Sequence, residues 1–165
     1  VIDNLFVGCG LSESADVESV LNQAGERESE YDWLGAAEFY GKAIGLVSET
    51  DFLKLGQVQE KMGYAVYRAA MQAESVTEFG DRMSQAIAHY GTAKESYERM
   101  SEPGKTPRML RCDAKIAYVS YWLASEAVEK KRLVDECWRL TKEALKAFDE
   151  GRDASEKKKF ALRKI

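Results

Sequence analysis

The sequence predicts an all-α chain built from three stacked antiparallel helix pairs. Three observations carry that expectation. Proline occurs only at Pro103 and Pro107 in 165 residues, so most of the chain is free of helix breakers. Small and aromatic residues step by four and then three, the spacing of one helix face: Ala36, Tyr40 and Ala43, and again Ala86, Tyr90 and Ala93. The chain also repeats itself at a shift of about fifty residues. A ring flanked by two alanines lets a neighbouring helix come close while the ring fills the gap.

Residues 1–14 read as a linker or short extended segment, because Leu5, Phe6 and Val7 precede Gly8 and Gly10. Ser12 or Ser14 is a capping candidate for a first helix over about 15–30. Val17, Val20, Leu21 and Ala24 give that helix an apolar stripe, and Gly25 weakens it. Asp32 can cap a second helix, about 32–48, whose buried face is Trp33, Ala36, Tyr40, Ala43 and Val47.

A third helix over about 51–74 has two stripes, one of Val58, Met62, Ala65, Ala69 and Ala73, the other of Tyr64, Tyr67 and Met71. A helix apolar on two sides belongs between neighbours. Thr77 is the expected cap of a fourth helix running to about Met100. Phe79, Met83, Ala86, Tyr90, Ala93 and Tyr97 face its core side, while Glu78, Asp81, Arg82, Gln85, Thr92 and Glu95 are expected in water. The stretch SEPGKTP, 101–107, is the clearest break in the chain. Helices over about 107–128 and 130–150 follow, the last with Leu133, Cys137, Leu140, Ala144 and Ala147 inside and Gly151 as its stop.

The stretch KMGYAVYRAAMQA, 61–73, aligns without a gap on KIAYVSYWLASEA, 115–127, a shift of 54. Lys61 meets Lys115, Tyr64 meets Tyr118, and Tyr67 meets Tyr121. On the partner helices Ala43, Ala93 and Ala144 recur at shifts of 50 and 51. The repeated unit is a helix pair, present three times as residues 15–49, 50–101 and 102–151. One pair cannot cover its own apolar face, so stacking makes the core continuous. The third unit has Cys137 and Thr141 where the first two have a small residue and a ring.

The spaced Ala36, Tyr40, Ala43 and Ala86, Tyr90, Ala93 resemble the second helix of a tetratricopeptide repeat, over about residues 15–150. The units here are longer than the usual length of about 34 residues. The resemblance implies an α-α superhelix that binds a protein or peptide along its concave side. Divergent units of this length are similar to those in sensor regions of large signalling NTPases and in vesicle-fusion adaptors.

The tail, 152–165, holds Arg152, Lys157, Lys158, Lys159, Arg163 and Lys164 against Asp153 and Glu156, a surplus of four. It reads as a solvated helix end or the start of a further helix. The chain's net charge is −4, so the body carries −8, a poor surface for general nucleic-acid binding. No run approaches the roughly 18 apolar residues of a membrane span. Cys9, Cys112 and Cys137 are odd in number and lack a CxxC, which points to reduced cysteines in the cytoplasm. With no initiating Met, the expectation is a piece of a larger signalling or regulatory protein.

Chemical motifs are scarce. GKT at 104–106 lacks the glycine a phosphate loop needs at position 99, which is Arg99, and a helix precedes it. GCG at 8–10 lacks a third glycine at 13, which is Glu13. His89 stands alone, so no metal site or nucleophile–base set can be assembled, and neither cofactor nor catalysis is expected. The remaining feature is the tyrosine-rich face of the third and fifth helices. Tyr64, Tyr118 and Trp122 supply rigid contact area there, with Lys61, Arg68, Arg111 and Lys115 beside them to clamp an acidic or carboxyl-terminal peptide group. The expected role is a non-catalytic scaffold for a protein or peptide partner. A self-associating dimer that closes the same aromatic surface is one alternative. An all-helical enzyme is another, but it needs paired Glu or His at inward positions, which here hold Ala, Tyr, Leu and Met.

Overall fold

A computed structural model describes residues 16–101 and 104–150. They form six helices: α1 Val17–Ser29, α2 Trp33–Leu46, α3 Phe52–Ala70, α4 Val76–Glu98, α5 Lys105–Leu123 and α6 Ala127–Glu150. No strand occurs among the described residues. The all-α class stands. The expected linker over 1–14, its capping serines Ser12 and Ser14, the stop at Gly151 and the tail over 152–165 lie outside the described residues.

Local chemistry sets the helix starts. Asp32 Oδ1 accepts the Gly35 amide at 2.9 Å, as expected of the α2 cap. Asp51 does the same for α3, accepting the Lys54 amide at 3.0 Å. The α4 cap is Ser75 rather than Thr77. Its Oγ accepts the Glu78 amide at 3.1 Å, and Glu78 Oε2 reaches back to the Glu74 amide at 2.9 Å. That reciprocal pair outcompetes a hydroxyl two residues on. Gly104, at φ 100, lies in the left-handed region open to glycine and turns the chain into α5. Pro107 falls in the first turn of α5, where its missing N–H costs nothing. The break between α5 and α6 comes earlier than expected, at Ala124, whose ψ of 136 is extended. Neither glycine nor proline marks it.

Each helix packs on its neighbours in sequence. Arg82 Nη1 of α4 donates to the Ala69 carbonyl of α3 at 2.8 Å, and the far end of α4 brings Tyr97 beside Gly56. These two helices therefore run antiparallel. The odd helices run parallel to one another. Lys54 Nζ meets Glu18 at 2.5 Å near the starts of α3 and α1, and Gln72 donates to the Tyr31 carbonyl at 3.3 Å near their ends.

The main core is built from α1 to α4, with Val119 of α5 added; α5 and α6 have a second cluster around Leu133, Cys137 and Leu140. A third small cluster, Ala93, Tyr97 and Cys112, joins α4 to α5. Tyr40 and Tyr90 are 1% and 2% exposed, each between two fully buried alanines. Lys61 of α3 lies over the Tyr40 ring at 5.7 Å and Lys115 of α5 over Tyr90 at 5.2 Å, so one contact recurs at both joints. Arg82, expected in water, is half-buried by its bond to Ala69.

Candidate functional site: an aromatic row over a buried carboxylate

Seven rings run in unbroken contact from the α1–α2 turn and the start of α2 across α3 to α5. Tyr31 meets Trp33 at 6.3 Å between centroids, and Trp33 meets Tyr64 at 5.8 Å, both edge to face. Tyr64 and Tyr67 are one turn apart on α3 at 6.4 Å. Tyr67 crosses to Tyr118 of α5 at 5.8 Å, and its hydroxyl donates to that of Tyr118 at 3.4 Å. Trp122 closes the row against Tyr118 at 6.4 Å and Tyr121 at 5.5 Å. Tyr64 and Trp122 each keep 38% of their surface exposed, and Met71, just past the end of α3, and Leu123 of α5 are exposed as well. Such rings supply contact area at little entropic cost.

Arg68 is set into this row. Its guanidinium stacks over Trp33 at 4.4 Å, lies 5.8 Å from the Tyr64 centroid, and donates to the Tyr64 hydroxyl at 2.8 Å. Among the described residues its partners are rings and a hydroxyl, with no carboxylate at ion-pair distance. The surrounding helices are positive. α3 carries Lys54, Lys61 and Arg68 against Glu60 alone; α5 carries Lys105, Arg108, Arg111 and Lys115 against Asp113 alone. That is a surplus of five in a chain of net charge −4.

Arg111 and Lys115 are placed differently from the clamp expected of them. Both turn inward onto Glu60, a residue of α3 that is 3% exposed. Arg111 Nε donates to Oε1 at 2.9 Å and its Nη2 to Oε2, while Lys115 Nζ approaches Oε1 at 3.1 Å. Tyr97 of α4 donates its hydroxyl to Oε2 at 2.7 Å. Burial alone raises the Glu60 carboxyl, but Lys115, Arg111 and these hydrogen bonds outweigh it and hold the group down at about 2. Burial and the Glu60 charge push the Tyr97 hydroxyl well above its ordinary range. Cys112 beside them is raised by burial first and Glu60 second, which keeps the thiol protonated and inert.

Of the seven residues expected to bind a partner, Tyr64, Arg68, Tyr118 and Trp122 come together in the row. Lys61 sits over Tyr40 at its margin, and Arg111 and Lys115 serve Glu60. Glu60 itself escaped the sequence reading. It looks like one more solvated charge beside Lys61. The available signal was its place between Gly56 and Gly63, at steps of four and three, as the only acid on α3.

His89 is half-buried with Nδ1 3.1 Å from Gln59 Oε1. Among the described residues no group of three His, Cys, Asp or Glu is arranged to hold a metal, and no helix is long and apolar enough to cross a membrane. No protein-family model matches the chain, and no curated protein or solved structure does either.

Proposed function

We propose that the chain is a non-catalytic docking module of tetratricopeptide-like kind. An extended, acidic segment of a protein partner lies along the face made by α3 and α5. The observation that carries this reading is Arg68, a guanidinium 4.4 Å over the buried Trp33 ring and bonded to the Tyr64 hydroxyl, with no carboxylate at ion-pair distance among the described residues. One of its five N–H donors is used by Tyr64, and the fork suits a carboxylate. The rings on either side offer surface for the partner's apolar side chains and hydroxyls for its backbone.

Synthetic peptides of equal length, acidic, neutral or basic, each with one leucine and one tryptophan, test it by fluorescence anisotropy. The acidic peptide should bind best and lose affinity with added salt. Replacing Lys61 and Arg68 together by methionine keeps apolar stems over Tyr40 and Trp33 but removes both charges. That variant should bind at least about tenfold more weakly, at nearly unchanged melting temperature. Equal binding of all three peptides, or unaltered affinity of the variant, rejects the reading.

One observation favours a second reading, self-association. Val134 and Trp138 of α6, one turn apart, are 48% and 62% exposed on a helix that packs chiefly on α5. Light scattering at several concentrations separates the two.

A further inference from the structure

The two joints between successive helix pairs are made of different materials. Between α1 and α3 the polar links, Lys54 to Glu18 and Gln72 to the Tyr31 carbonyl, lie at the solvent edge, and the apolar core runs through beneath them. Between α3 and α5 the main apolar core reaches across through Val119 and the partly buried Ile116, and a buried carboxylate bridges the two helices as well. Glu60 belongs to α3. It takes Tyr97 from its own hairpin partner α4, and Arg111 and Lys115 from α5 of the next hairpin. A buried ion cluster of this kind contributes little net stability compared with apolar packing, but it is geometrically exacting, because both carboxylate oxygens must be satisfied together.

We infer that Glu60 is a positioning residue that sets how the α5–α6 hairpin sits on α1–α4, and thereby keeps the aromatic row continuous. The row crosses from the α3–α4 hairpin to α5–α6 at Tyr67 and Tyr118, whose rings stand 5.8 Å apart and whose hydroxyls meet at 3.4 Å. Glu60 and Arg111 lie on the same two helices, seven residues before Tyr67 and Tyr118 respectively, two turns along each. Fixing the first pair therefore fixes the second. With the carboxylate gone, the bonds that Arg111 and Lys115 make to it across this joint are lost. The third hairpin then loosens on α3–α4, and the row divides into Tyr31–Tyr67 and Tyr118–Trp122 halves.

The test is Glu60→Gln in the full chain, read by amide hydrogen exchange and by the nuclear Overhauser contact between the Tyr67 and Tyr118 rings. Exchange should quicken at least about tenfold in α5 and α6 while α1 and α2 keep their protection, and the ring contact should weaken. Protection unchanged throughout overturns the inference. So does an equal loss in all six helices, which would make Glu60 a contributor to global stability only. Should Glu60→Gln fail to fold, Lys115→Met, which leaves Arg111 on the carboxylate, is judged by the same pattern at smaller amplitude. The consequence for docking rests on the peptide reading above, but the joint does not. Selective exchange with no peptide bound by the wild type removes the docking reading alone. Tight peptide binding with unchanged exchange in Glu60→Gln removes the joint alone.

Discussion

Gly56→Ala is the sharpest single test of how α3 meets α4. Inside a helix, alanine is ordinarily better than glycine by about 1 kcal/mol. Here one ring reverses the sign. A Cβ at position 56 would overlap Tyr97 Cε1 and stand 2.7 Å from both Cδ1 and Cζ. Tyr97 has no exposed surface, and its hydroxyl is held at 2.7 Å by Glu60. If the ring stays, overpacking costs about 1–3 kcal/mol. If it withdraws, it gives up a hydrogen bond to a charged group, worth about 1.5–3 kcal/mol. Set against the propensity gain, the net loss should be about 0–2 kcal/mol, read as a lower urea midpoint at constant m. In a Tyr97→Ala background the obstacle is gone, and Gly56→Ala should stabilise by about 1 kcal/mol. Gly91, with nothing within 4 Å of its Cβ position, is the control and should stabilise in both backgrounds. A stabilising Gly56→Ala in the wild type, or the same cost in both backgrounds, refutes this account of the contact.

Three further outcomes follow from the same structure. Tyr90→Ala removes a 2%-exposed ring from between Ala86 and Ala93 and should cost about 3–5 kcal/mol by thermal or urea unfolding, whereas a loss below about 1 kcal/mol would place the repeat face elsewhere. Glu60 titrates at about 2 in the fold against an ordinary 4.5, so its contribution is complete above 4.5 and disappears as pH falls toward 2. Over that window the stability gap between wild type and Glu60→Gln should shrink by about 3 kcal/mol, and a constant gap would contradict the lowered carboxyl. Burial lowers His89 below its ordinary 6.5, so the unfolded chain takes up its proton first as pH falls. Stability should therefore decline on acidification through 6.5, and His89→Gln should remove that decline; a folded-state His89 titrating above 6.5 by NMR refutes it.

Much of the fold was legible because its signals are local and periodic. Ala36, Tyr40 and Ala43 step around one face, and the structure buries all three. Asp32 caps α2 because an acid before an apolar run is read by the next turn alone. The α5–α6 break was not legible, since Ala124 turns the chain without glycine or proline and tertiary packing decides it. The site was half legible. Periodicity brought Tyr64 and Arg68 onto one stripe of α3, and Tyr118 and Trp122 onto the matching stripe of α5. It said nothing of which way a cation turns at the edge of that stripe. Arg111 and Lys115 turn inward because Glu60 is there, and that partner lies fifty or more residues away in sequence.

The division of labour between odd and even helices follows from where the rings go. Tyr40 and Tyr90 are used up in the core, and the helix that receives each one must make room. At α3 that room is glycine: a Cβ at Gly63 would stand 2.9 Å from the Tyr90 ring. Having received its neighbours' rings with small residues on one side, α3 has its own Tyr64 and Tyr67 left over for the other. The alignment of 61–73 on 115–127 carries the same surplus to α5 as Tyr118 and Tyr121. In α6 the corresponding position is Thr141, and no later helix among the described residues packs there to need a ring. The exposed row is therefore a by-product of the packing rule that builds the stack. Arg68 is the part the rule does not require, since its counterpart at a shift of 54 is Trp122. A residue that breaks the repeat, holds its charge among rings and faces no acid among the described residues is where selection for a partner would leave its mark.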